Sequence, residues 1–101
     1  MKPALFHAEA TAELDEAITY YEQRELGLGL DFLSVVMESV LRIRRFPKLG
    51  ARYKNTRMRH TVVRRFPYVL FYREYADVIW IAAVAHGKRR PDYWRRRKRD
   101  R

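Results

Sequence analysis

The chain has 101 residues, 48% of them hydrophobic, no cysteine, and a formal net charge of +10 at pH 7. That length is one domain able to bury roughly two-thirds of the surface its unfolded form exposes. The missing thiols exclude disulfides and cysteine chemistry, in keeping with a cytoplasmic location.

The charge is unevenly divided. Residues 1–41 carry two basic and eight acidic side chains, a net of −6, whereas residues 42–101 carry twenty basic and four acidic, a net of +16. Such a field draws polyanions or an acidic protein partner. The longest apolar run, Val78 to Ala85, has strand length and falls far short of the ~20 residues that cross a bilayer. The N-terminus lacks the basic-then-apolar order of a secretory signal. No membrane partner is expected.

In chain order, Pro3 to His7 reads as a short first strand. From about Thr11 to Arg24 the period is helical, with Leu14, Ala17, Ile18 and Tyr21 on one face and Glu13, Asp15 and Glu16 placed early, where carboxylates suit the helix dipole. Gly27 and Gly29 interrupt it. A second helix is predicted from about Leu30 to Arg45, with Leu33, Val36, Val40 and Ile43 as its buried stripe, ended by Pro47. The glycine-containing turn predicts an antiparallel helical hairpin. Beyond Gly50 the period becomes that of strands: Met58 to Val63, then Tyr68 to Arg73 after a Phe66-Pro67 turn, then Val78 to Ala85, apolar on both faces and hence central. The short spacings predict an antiparallel meander. The expected class is α+β, ordered β-α-α-β-β-β, with a short basic helix over 92–101 that starts at an Asp92 N-cap.

Neither a metal site nor a cofactor is expected. His7, His60 and His86 are far apart, no glycine-rich phosphate loop follows a strand, and Ser34 and Ser39 lie inside the second helix. The arginines carry more chemistry. Strand alternation lets Arg57, Arg59 and Arg65 share a face while Arg64 points the other way, and Lys88, Arg89 and Arg90 follow the last strand. For RNA cleavage, arginines would hold the scissile phosphate while a His or Tyr moved a proton. The plainer reading makes His86 a strand-end hydrogen bonder, Tyr68 and Tyr72 packing residues with wet hydroxyls, and Glu22 and Arg24 solvated. On that reading the Tyr93-Trp94 pair anchors the tail.

Four segments carry a resemblance. Val84 to Arg97 (VAHGKRRPDYWRRR) is similar to the strand-His-basic-Pro-aromatic ending of the RelE/ParE superfamily of bacterial type II toxins, ParE-like branch. Arg64 to Tyr72 (RRFPYVLFY) resembles its preceding hairpin; Ala12 to Glu22 (AELDEAITYYE) and Gly27 to Phe32 (GLGLDF) resemble its first helix and the start of its second. The fold this implies agrees with the one read from periodicity.

The resemblance further implies a growth-inhibiting toxin, a cognate antitoxin that silences it, and operator DNA bound through their complex. Two activities divide the superfamily. A ParE-like member poisons DNA gyrase without chemistry, which places Arg89, Arg90, Trp94, Arg95, Arg96 and Arg97 on the target surface. A RelE-like member cuts messenger RNA on the ribosome, for which the matching candidates are Arg57, Arg64, His86 and Arg89. The His-to-Trp ending leans toward ParE. In either case Arg64, Arg89 and Arg90 are expected to meet acidic side chains of the antitoxin. A basic nucleic-acid-binding module without toxicity is the remaining reading of the +16 half.

Overall fold

The computed structural model describes residues 1–99. Its elements are β1 (Ala4–Phe6), α1 (Ala8–Arg24), α2 (Leu28–Arg45), β2 (Ala51–Arg52), β3 (Arg59–Val62), β4 (Tyr68–Glu74) and β5 (Ile79–His86). The strands form one sheet in the order β1-β5-β4-β3-β2. The α+β class and the helical hairpin are as expected, but the sheet is mixed. β1 runs parallel to β5, with Ala4 opposite Ile79 and Phe6 opposite Ile81, because α1 and α2 intervene before the chain returns. β2 was not foreseen: two residues are too short to show an alternation.

Both helices start earlier than their periodicity predicted. His7 caps α1, its Nδ1 accepting from the Glu9 N–H at 3.0 Å. At the start of α2 the carboxylate of Glu22 reaches across the hairpin. It accepts from the N–H groups of Gly27 and Gly29 at 3.0–3.1 Å, supplying the partners that a helix N-terminus lacks. Glu22 is therefore a cap and not a solvated charge. Gly27 turns with φ 89°, a conformation costly for other residues. Gly29 serves a different need: a Cβ there would stand 2.7 Å from the Ile18 carbonyl, so its bare backbone sets the close approach of the helices.

The core lies on both faces of the sheet. On the helix side, Phe32, Val36, Val40 and Ile43 meet Leu70, Tyr72, Ile79, Ile81 and Val84; Phe32, not the half-buried Leu33, leads the α2 stripe. On the opposite side Met58, Trp80, Ala82, Ala83 and Trp94 pack together. A bulge between Phe71 and Tyr72 pairs these residues with Ala83 and Ile81. The extra residue shifts the phase of β5, so that Val84 joins Ile79 and Ile81 on the helix side. Tyr72 is fully buried. Its hydroxyl donates to the Pro47 carbonyl at 2.8 Å and accepts from the Gly50 N–H at 2.9 Å; it is not wet.

Residues 91–96 form successive turns, not the predicted helix. Asp92 has φ 64° and caps nothing. Its carboxylate instead takes hydrogen bonds from Tyr53 and Lys54. Residues 100 and 101 of the predicted helix lie outside the described residues. Among the described residues no helix is long and apolar enough to cross a membrane.

Candidate functional site

The four candidates for RNA cleavage do not converge. Arg57 precedes β3 and so lies at the Glu74 end of β4, while His86 pairs with Tyr68 at the other end. The intervening strand length is roughly 20 Å. Arg64 shares the His86 end but turns to the helix side, where its guanidinium donates to Glu38 of α2 at 2.9 Å. Arg65 also turns toward α2, 3.9 Å from Asp31, and Arg59 pairs with Tyr72 on that side, whereas Arg57 lines a cleft with Trp80 and Trp94 on the other face, so the three do not share one.

His86 and Arg89 do come together, with Tyr68 and Val84, around a groove of about 590 Å³ beside α1. Glu13, Asp15 and Glu16 line the same groove. A phosphate seated against Arg89 would meet these carboxylates as well. The His86 Nδ1 accepts from the Lys88 N–H at 3.0 Å, which is the strand-end bond expected of it. Tyr93 offers no free proton carrier either. Burial and its hydrogen bond to Glu13 raise its hydroxyl pKa well above the usual tyrosine value.

Glu13 organises this end of the molecule. Oε1 accepts from the Val84 N–H at 3.0 Å and from Arg97 at 3.1 Å; Oε2 accepts from Arg97 and from the Tyr93 hydroxyl, both at 2.7 Å. The same Arg97 donates to the Ala82 carbonyl at 2.9 Å. Short β1 pairs only as far as Ile81, so these two side chains occupy the outer edge of β5 beyond it. Burial alone would lower the Arg97 pKa, but Glu13, by hydrogen bond and charge, leads the contributions that leave it raised. Arg89 lies over the Tyr93 ring, 3.8 Å from its centroid.

This geometry revises the expected target surface. Trp94 is buried against Tyr53 and Phe71, and the Arg97 side chain is only 8% exposed. Both hold the tail and present no contact face. Arg89, Arg90, Arg95 and Arg96 remain exposed. Arg89, Arg90 and Arg96 line a common depression with His7 and Glu9, whereas Arg95 lines a different cleft. The set expected to meet an antitoxin divides likewise, Arg64 standing apart on the helix side.

Sequence reading missed Glu13 as the centre. A signal was present: Ala10 and Ala17, at helical spacing from it, are both buried, which puts a carboxylate on the packed stripe of α1. Its partner was not readable, because any of the tail arginines offered the charge.

The tail has a second set of ties. Hydrogen bonds from Lys54 and then Tyr53 hold the Asp92 carboxyl below its usual 3.8, and hydrogen bonds from Arg99 act likewise on Asp77. A depressed folded pKa means that the unfolded chain takes up the proton first. Each contribution is therefore in place above about pH 4 and is lost as pH falls through the lower folded value. Acid titration followed by fluorescence in a Trp80→Phe background, which leaves Trp94 as the reporter, is expected to show the tail loosening below about pH 4, with a smaller change when Asp92→Asn is added. An identical acid profile in that variant would contradict the role of Asp92.

Comparison with known proteins agrees with this architecture. The family model of the ParE toxin of the type II toxin–antitoxin system parDE matches residues 4–91. A solved structure of the chromosomal ParDE TA system from P. aeruginosa has a similar fold, with TM-score 0.71 and 20% identity, over 85% of this chain and 96% of that one. No curated protein sequence matches the chain. The chain belongs to the ParE toxin family of type II toxin–antitoxin systems.

Proposed function

We propose that this ParE-family chain acts in the cytoplasm as an inhibitor of DNA gyrase, by binding and without chemistry of its own, and that a cognate antitoxin neutralises it. The observation that carries the reading is the exposed rim of Arg89, Arg90 and Arg96, held in place by the buried Glu13–Arg97 pair in a chain matched by the ParE model. Preordered arginines on a fixed support lose little freedom on binding. The ribosome-dependent RNA-cleaving reading has less support, since Arg57 stands far from His86 and the Tyr93 hydroxyl is engaged with Glu13.

The antitoxin reading rests on the same family and on charge. An acidic segment would be steered to Arg89 and Arg90, and β1 and β2, the outer strands of the sheet, offer edges for strand addition. Arg64 would take part through the helix side. The complex would then bind operator DNA.

Purified protein is expected to inhibit gyrase supercoiling or to trap cleaved DNA on a gel. Arg89→Ala/Arg90→Ala/Arg96→Ala should raise the concentration required by about tenfold or more. No effect of the folded wild-type chain at large excess over active gyrase would remove this target.

A further inference from the structure

A second basic surface lies away from the rim, on the sheet face that the helices leave free. There a cleft of about 570 Å³ is lined by Arg57, Arg73, Tyr75, Arg95, Lys98 and Arg99 among others, and no carboxylate lines it. A neighbouring depression of about 230 Å³ shares Arg57 and Arg73 and wraps round the end of the sheet to Arg52 and Arg59, which lie on the Tyr72 face. Its one carboxylate, Glu74, is bonded to Lys2 at 2.6 Å. We infer that this continuous track binds the phosphodiester backbone of a nucleic acid.

Three observations carry the inference. First, the cations are arranged linearly. They run from Arg52 and Arg59 at the end of the sheet, past Arg57 and Arg73, to Lys98 and Arg99 in the tail. A compact anion needs convergent donors, whereas a strand with a phosphate at every ~3.4 Å of rise matches such a track. Second, the central arginines are held ready. The guanidinium carbons of Arg73 and Arg99 stand 4.4 Å and 4.8 Å from the centroid of the Tyr75 ring. Asp77 fixes Arg99 through two bonds at 2.9 and 2.6 Å, and stacked guanidinium groups keep their remaining donors available. Third, two of the arginines are not neutralised. Among the described residues Arg57 and Arg73 have no carboxylate partner, whereas Arg95 and Arg99 at the tail end of the cleft stand beside Asp92 and Asp77. On the helix side the exposed arginines Arg64 and Arg65 each have a nearby carboxylate.

The track is distinct from Arg89, Arg90 and Arg96, and the inference does not depend on gyrase being the target. A negative supercoiling assay would leave it standing.

The test is fluorescence anisotropy with a labelled 20-base-pair DNA duplex and a single-stranded RNA of equal length, each titrated at several salt concentrations. The tighter of the two identifies the source of the backbone. Arg57→Gln/Arg73→Gln should weaken binding about tenfold or more and lower the log–log salt slope by about two, one per lost phosphate contact. Arg57→Lys/Arg73→Lys should keep most of that slope. Arg24→Gln/Arg65→Gln removes the same charge from exposed positions elsewhere and should change affinity by less than about twofold. Circular dichroism checks that each variant is folded. An unchanged slope in the cleft variant would overturn the inference, as would an equal loss in the charge-matched control. So would competition by polyglutamate as effective, charge for charge, as by unlabelled duplex, since that would mark a surface for acidic protein.

Discussion

Glu13→Ala is expected to cost about 3–5 kcal/mol of stability, the range for removing one member of a buried ion pair. The side chains of Glu13 and Arg97 are 10% and 8% exposed. Removal of the carboxylate strands a buried guanidinium, the Tyr93 hydroxyl and the Val84 N–H together. Water entering the site would recover part of that loss by freeing the tail, so the variant should also lose the fixed position of Arg89 over Tyr93. Arg97→Met should cost less, because the carboxylate loses its counter-charge but keeps the Val84 N–H and the Tyr93 hydroxyl. Glu13→Leu/Arg97→Met removes both charges and should cost less than the two single losses added together, although the Val84 N–H, the Tyr93 hydroxyl and the Ala82 carbonyl lose their partners. Urea unfolding followed by tryptophan fluorescence measures the three variants beside the parent. Single variants within about 0.5 kcal/mol of the parent would show that the pair holds nothing.

The second large effect is expected at Phe32. Its ring is fully buried, with centroids 5.2 Å from Tyr21, 5.0 Å from Phe66 and 4.9 Å from Tyr68. One side chain of α2 thus joins α1, the turn before β4, and β4 itself. Phe32→Ala removes the shared edge-to-face contacts and leaves a cavity, for about 3–5 kcal/mol. In a domain of this size that lowers Tm by more than about 10 °C. Calorimetry reads the shift directly; a fall of only a few degrees would mean that the three aromatic partners close over the gap.

These two sites differ in how much the sequence disclosed. The helical period of α2 disclosed Val36, Val40 and Ile43 but named Leu33 where Phe32 leads the stripe, and the apolar run into β5 marked an interior strand; hydrophobic spacing is a local property and can be read locally. The parallel pairing of Ala4 with Ile79 is not local, because no residue between them encodes which strand β1 will join. The family was legible in the His86-to-Trp94 segment, but the division of labour among its arginines was not. The Arg97 side chain is only 8% exposed and Arg96 is open to solvent because one faces Glu13, a partner 84 residues away. The same distance explains the failed helix over the tail. Adjacent arginines that repel one another follow the carbonyl and carboxylate offered by β5 and α1 instead of closing helical turns.

The separation of Glu13 from Arg97 also has a kinetic meaning. At 5–20 residues per second, the 84 residues between them take a ribosome roughly 4–17 s to make. Through that interval a nascent chain that has completed α1 carries Glu13 without its guanidinium partner, and the β5 edge, once made, lacks the Arg97 that caps Ala82. The arginines that flank Tyr93 cannot take their final positions before residue 97 exists. β5 ends at His86, only 11 residues before Arg97, so the sheet and the pair are completed together, and it is the finished helical hairpin that waits for both.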